Sequence, residues 1–136
     1  MPLLRVLHYL WASPATALGL LFAPAAWMSG GRVRCVDGVV EIHGGLVQRF
    51  LAQGLPVIGS ASAMTLGHAV IGQDQACLDD SRTHERVHVR QYERWGPLMI
   101  PAYLLASLWA YLRRRHPYWD NPFEREANQI SDRGEA

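Results

Sequence analysis

"THERVHVRQYERWG", residues 83–96, decides how the rest of the chain is read. It sets His84 and His88 four positions apart, with Glu85 directly after the first. Asp80 or Ser81 offers a helix cap upstream, Gly96-Pro97 offers a stop, and Val87 and Trp95 offer an apolar face, so the stretch is expected to be helical. On a helix, positions i and i+4 share a face. The two imidazoles would then stand side by side, as two ligands of a tetrahedral zinc require. Glu85 would lie about 100° round the helix, where a carboxylate reaches a water on the metal without becoming a ligand. In a chain of this composition an H-E-x-x-H string arises by chance with odds of roughly 1 in 100. The competing reading is a charged, solvated helix face that holds no metal.

Two His ligands need a third protein ligand downstream. A histidine six residues after His88, preceded by a glycine, would be one solution. Arg94 and Gln91 occupy those positions, which excludes it. A glutamate on a later helix is the other solution, and "NPFEREAN", residues 121–128, supplies it. Glu124 is favoured. It also sits three residues after Asn121, the glutamate position of a capping box, and in that case Glu126 would be the ligand. Asn128 follows Glu124 by four residues on the same face, placed to hydrogen-bond a ligating imidazole and orient it.

"HERVH" followed by "FEREAN" resembles the gluzincin-type zinc metallopeptidases, in particular the smallest members and membrane-associated bacterial relatives with a Glu-x-x-Ala-Asp pattern. The resemblance covers residues 83–95 and 121–130, and more loosely the strand before the first helix. It implies that His84, His88 and Glu124 bind Zn2+, that Glu85 is the general base, and that the substrate is a peptide or protein. Ala127 matches the pattern. Asn128 stands where aspartate is usual, which lowers the charge behind the ligands. The resemblance also implies an edge strand above the metal that pairs with the substrate backbone. "MTLGHAVIG", residues 64–72, is the candidate, with Thr65, Gly67 and His68 as substrate contacts. Tyr103, His116 and Tyr118 are candidate donors to the oxyanion formed during hydrolysis. The alternative function is a non-catalytic zinc-binding module or a membrane-associated interaction protein, in which four protein ligands would close the metal site.

Length and charge bound the remainder. A chain of 136 residues is one domain with one modest core. A net charge of +1 gives no field that would recruit nucleic acid. Cys35 and Cys77 are too few for a disulfide framework and read as buried thiols. Between Val6 and Met28 no Asp, Glu, Lys or Arg occurs. That segment reads as a signal peptide ending near "FAPAAW", as a membrane anchor, or as an apolar helix packed on the domain's own core. Ser13 and Pro14 look like the cap and first residue of a helix running through "SPATALGLLFA". The chain is accordingly divided into an apolar N-terminal helical segment, 1–30, and a zincin-like domain, 31–136.

Within that domain, "RVRCVDGVVEIHG" alternates about Asp37-Gly38 and predicts a hairpin with strands near 32–36 and 39–43. "LVQRFLAQG" predicts a short helix stopped at Gly54. A single strand is expected near 64–71, and a polar loop over "QDQACLDD". "PLMIPAYLLASLWAYLRRR" predicts an apolar helix with a basic end. "RRRHPYW" is suited to lipid headgroups or to a solvated helix end. A last helix is expected to start from Asn121. The expected fold is α+β: a small twisted sheet packed on the H-E-x-x-H helix and on a following glutamate-bearing helix, a minimal zincin-like arrangement.

Overall fold

The computed structural model describes residues 2–54 and 61–132. The fold is α+β, with six α-helices and a four-stranded mixed sheet among the described residues. The chain runs α1 (Pro2–Leu20), α2 (Phe22–Met28), β1 (Arg32–Val36), β2 (Val39–His43), α3 (Gly45–Gln53), β3 (Ala63–Leu66), β4 (Ala69–Gly72), α4 (Gln75–Trp95), a 3-10 turn (Gly96–Leu98), α5 (Met99–Leu112) and α6 (Pro122–Asp132).

The sheet order is β1-β2-β4-β3, with β2 and β4 parallel and both outer pairs antiparallel. Asp37 and Gly38 both have positive φ, 51° and 80°, as the expected two-residue hairpin demands. Strand alternation then divides the core. Ile42 and Ile71 face Ala26 of α2 and Val47 and Leu51 of α3. Val39 and Val70 face Leu78 and Val89 of α4. The two central strands are therefore apolar on both faces, as a sheet covered on both sides requires. Glu41 is the exception, and it is fully paired: Arg82 of α4 reaches both of its oxygens, at 2.9 and 3.0 Å. This ion pair fixes α4 against the sheet.

Four local expectations are corrected. The single strand near 64–71 is a hairpin, β3 and β4, folded at Gly67-His68. Gly67 has φ 64°, and a Cβ there would run into Thr16 of α1. Secondly, "QDQACLDD" is not a loop. Asp74 caps α4 by accepting from the Cys77 amide at 2.8 Å, so neither Asp80 nor Ser81 is the cap. Leu78 points inward while Asp79 and Asp80 face solvent, which gave the segment its polar look. Thirdly, Ser13 and Pro14 lie inside α1. Proline has no N–H for the Leu10 carbonyl four residues back, and the Ser13 hydroxyl donates to that carbonyl instead, at 2.7 Å. Fourthly, Cys35 is exposed, Cys77 is partly buried, and the two are not bonded.

One face of α1 packs on the body of the domain. Ala12 and Ala15 pack with Tyr92 and Met99. The Thr16 hydroxyl accepts from the His68 amide at 2.9 Å, and the Tyr9 hydroxyl donates to the Gly38 carbonyl at 2.6 Å. The opposite face of α1 is exposed and apolar, with Leu3, Leu4, Leu7 and Leu10 in the open. Two helical stretches, Pro2–Met28 and Gln75–Leu112, are long and apolar enough to cross a membrane by length and composition.

Candidate metal centre

α4 carries His84, Glu85 and His88 along the side that meets α6 and β3. Asn121 brings α6 into place. It is fully buried; its Oδ1 accepts from the Phe123 amide at 2.9 Å and caps α6. Its Nδ2 donates to the Tyr103 carbonyl and the Ser107 hydroxyl of α5. One side chain thus starts α6 and ties it to α5, and Glu124, in the first turn, is delivered to the imidazole pair.

The convergence is close. His84 Nε2 and His88 Nε2 each stand 2.9 Å from the same oxygen, Glu124 Oε1, and 3.2 Å from each other. Three ligands at zinc distances in a tetrahedral site are separated by about 3.3 Å. The capping-box alternative for Glu124 fails, because its carboxylate faces the imidazoles. Its second oxygen accepts from the Tyr103 hydroxyl at 2.5 Å. Glu126, the other candidate ligand, accepts instead from Gln91 at 2.8 Å.

Gln91 settles which nitrogen of His88 carries the proton. Its Nε2 donates to the Phe123 carbonyl and to Glu126, at 3.0 and 2.8 Å, so its Oε1 can only accept. That oxygen is 2.8 Å from His88 Nδ1, which must therefore be the N–H. The neutral ring then presents a lone pair at Nε2, towards Glu124. Two electron-rich atoms face each other at 2.9 Å, with a second imidazole beside them. Only a cation between them, a proton or a metal ion, reconciles that geometry. Burial disfavours a charged His88, but the facing Glu124 and nearby Glu85 outweigh it and lift its pKa to about 9. Burial likewise disfavours an ionised Glu124, yet the bonds to His84 and His88 hold it down to about 2.

Glu85 is buried, and its Oε2 has no hydrogen-bond partner. Burial pushes its carboxyl up, against the pull of His88 and His84. Its carboxylate lies with the two imidazoles in a group whose ligand atoms are all within 4.8 Å of one another. Beside this group is a cavity of about 200 Å³ whose walls are mostly apolar, among them Met64, Leu66, Met99, Ile100 and Leu104. Glu85, His88 and Glu124 form its polar end. The donor set, the orphaned carboxylate oxygen and the adjoining space fit a divalent metal with an open position.

The other expected site residues divide. Thr65 lines the cavity from β3, one of the two edge strands of the sheet. Its hydroxyl donates to the Glu85 carbonyl at 3.2 Å, and its own carbonyl accepts from Tyr92 at 3.1 Å. Gly67 is in the hairpin turn under α1 and does not line the cavity. His68 does not line the cavity; it lies in the turn itself, where it stacks on Tyr9 and pairs with Glu93 at 2.8 Å. Asn128 makes no side-chain hydrogen bond to either imidazole among the described residues, and the ring-orienting role falls to Gln91. His116 is exposed, its Nδ1 accepting from the Tyr118 and Trp119 amides. Tyr103 is committed to Glu124, and Tyr118 lines the cavity. Sequence reasoning missed Gln91; the available signal was an uncharged polar residue three after His88, on the buried side of α4. No protein-family model, curated protein or solved structure matches the chain.

Proposed function

We propose that this chain is a zinc-dependent peptide-bond hydrolase, zincin-like in arrangement and associated with a membrane. The observation that carries the reading is the meeting of His84, His88 and Glu124 at one point, with the unpartnered Glu85 oxygen next to an apolar cavity. Three protein ligands leave a position open, which favours catalysis over a purely structural metal. Zinc held there would supply an acidified water and polarise the scissile carbonyl. Glu85 takes the proton from the attacking water and passes it to the leaving amine; burial raises its basicity for that task. Tyr103 holds the Glu124 carboxylate in its ligating orientation. Tyr118 lines the cavity near Glu124 and is the hydroxyl assigned to the developing oxyanion. β3 offers an outer edge along which a peptide backbone can lie. The two apolar helical stretches support the membrane setting.

The test separates metal from chemistry. Glu85→Ala is expected to retain about one zinc per chain by elemental analysis and to lose peptide hydrolysis by at least a hundredfold. His88→Ala is expected to lose both. Hydrolysis by Glu85→Ala at the parent rate would reject the mechanism.

A further inference from the structure

α5 has two lives along its length. Ile100, Tyr103 and Leu104 line the cavity, and Ser107 and Ala110 are buried. The remaining large side chains form a ridge that the protein does not cover: Leu105 is 66% exposed, Trp109 63% and Leu112 66%. Leu104 belongs to both surfaces, because it lines the cavity and is 47% exposed, so it forms the lip between cavity and ridge. α5 itself contains no charged residue.

At its C-terminal end the character changes abruptly. Arg113, Arg114 and Arg115 are exposed, and none is in an ion pair among the described residues. Arg114 takes the left-handed conformation, φ 59°, and the Arg115 amide closes back on the Ala110 carbonyl at 2.8 Å. This turn ends the helix and fans the guanidinium groups out beyond the apolar ridge. Arg113 lies over the Trp109 ring at 5.4 Å, and Trp119 is exposed nearby in sequence. An apolar ridge with tryptophans and unpaired arginines at its border matches the layering of a bilayer surface: acyl chains, then interface, then anionic headgroups.

Spanning is a poorer fit than lying flat. α5 has 14 residues, about 21 Å of helix against about 30 Å of hydrocarbon, and the longer stretch that it ends, Gln75–Leu112, runs back into α4, whose His84 and His88 are bonded to Glu124 of α6. α1 is long enough, but it is stitched to the polar body by Tyr9, Trp11 and Thr16, through Gly38, Arg94 and His68. Taking α1 across a membrane would drag these turns and the arginines of α4 into lipid. A second copy of the chain is also a poorer occupant, because the ridge carries no acidic group to answer the arginines.

We infer that the α5 ridge and its arginine end seat the protein monotopically on an anionic bilayer, with the lip of the metal-site cavity at the membrane surface. The test uses the full zinc-loaded chain and vesicles of phosphatidylcholine with or without phosphatidylglycerol. It should float with anionic vesicles. Arg113→Gln with Arg115→Gln should weaken binding about 20-fold at low salt, and Leu105→Glu with Leu108→Glu should abolish it. Unchanged zinc content and circular dichroism would show that these variants of exposed side chains are folded. A dye on Leu104→Cys, in a Cys35→Ser and Cys77→Ser background, should be quenched more by shallow than by deep doxyl lipids. A dye on Cys35, at the opposite edge of the sheet with only Cys77→Ser changed, should not be quenched. Equal flotation of parent and Leu105→Glu/Leu108→Glu, stronger deep quenching, or a discrete soluble dimer broken by that same variant would each overturn the inference.

Discussion

Two places among the described residues bring two histidines to one glutamate, and they do so with different geometry. At Glu124, both imidazoles address the same oxygen at 2.9 Å. At Glu93, His68 takes one oxygen at 2.8 Å while His8 approaches the other at 3.7 Å. The further nitrogen differs too. His88 Nδ1 is locked by Gln91, whereas His68 Nδ1 is buried with no partner. A similar set of residues therefore yields a convergent group that could hold a metal ion in one case and a histidine–carboxylate hydrogen bond beside an arginine-lined groove in the other. What separates them is convergence on one point and a second layer that fixes which lone pair is presented.

The comparison is broken most decisively by paired substitutions. His88→Ala should lower zinc affinity by at least a hundredfold in a competition titration, while His68→Ala leaves it within twofold. Equal losses would mean that the two clusters are not distinct. A smaller effect should follow from Gln91→Leu, which frees the His88 ring to adopt either tautomer. Zinc affinity should fall 10- to 100-fold, and in the zinc-free protein the Nδ1–H resonance of His88 should lose its slow exchange with solvent. An unchanged resonance would show that Gln91 does not hold that proton. The smallest effect belongs to Glu93→Gln. Glu93 is only partly buried and a glutamine there keeps an acceptor for the buried His68 ring, so the substitution should cost about 1 kcal/mol of stability by denaturant unfolding, with metal binding unaffected.

How much of this was legible depended on whether local geometry or tertiary contact set each feature. The spacing of His84 and His88 guarantees adjacency on any helix, and Asp37-Gly38 specifies its turn without outside help. Glu124 could be named from its place downstream of His88 and from Asn128 four residues on, but its position three after Asn121 equally suited a capping box, and only contact with α4 separates it from Glu126. Gln91 was not legible, because its role depends on α6 presenting the Phe123 carbonyl and the Glu126 carboxylate to it. The hairpin at Gly67-His68 was hidden by the apolar residues on both sides of the turn, which read as one strand; the requirement for glycine comes from Thr16, some fifty residues earlier. The N-terminal helix was misjudged at Pro14 because the hydroxyl repair by Ser13 mimics a capping residue in sequence.

Tyr92 has one more consequence. In a two-residue hairpin such as β3–β4, paired residues alternate, so Ala63 and Thr65 turn their main-chain groups outward. The Tyr92 hydroxyl already occupies one of these acceptors, the Thr65 carbonyl. A guest polypeptide laid along this rim gains only a brief backbone grip. In the proposed hydrolase, choice among guests would pass from strand pairing to whichever greasy side chain fills the chamber behind it.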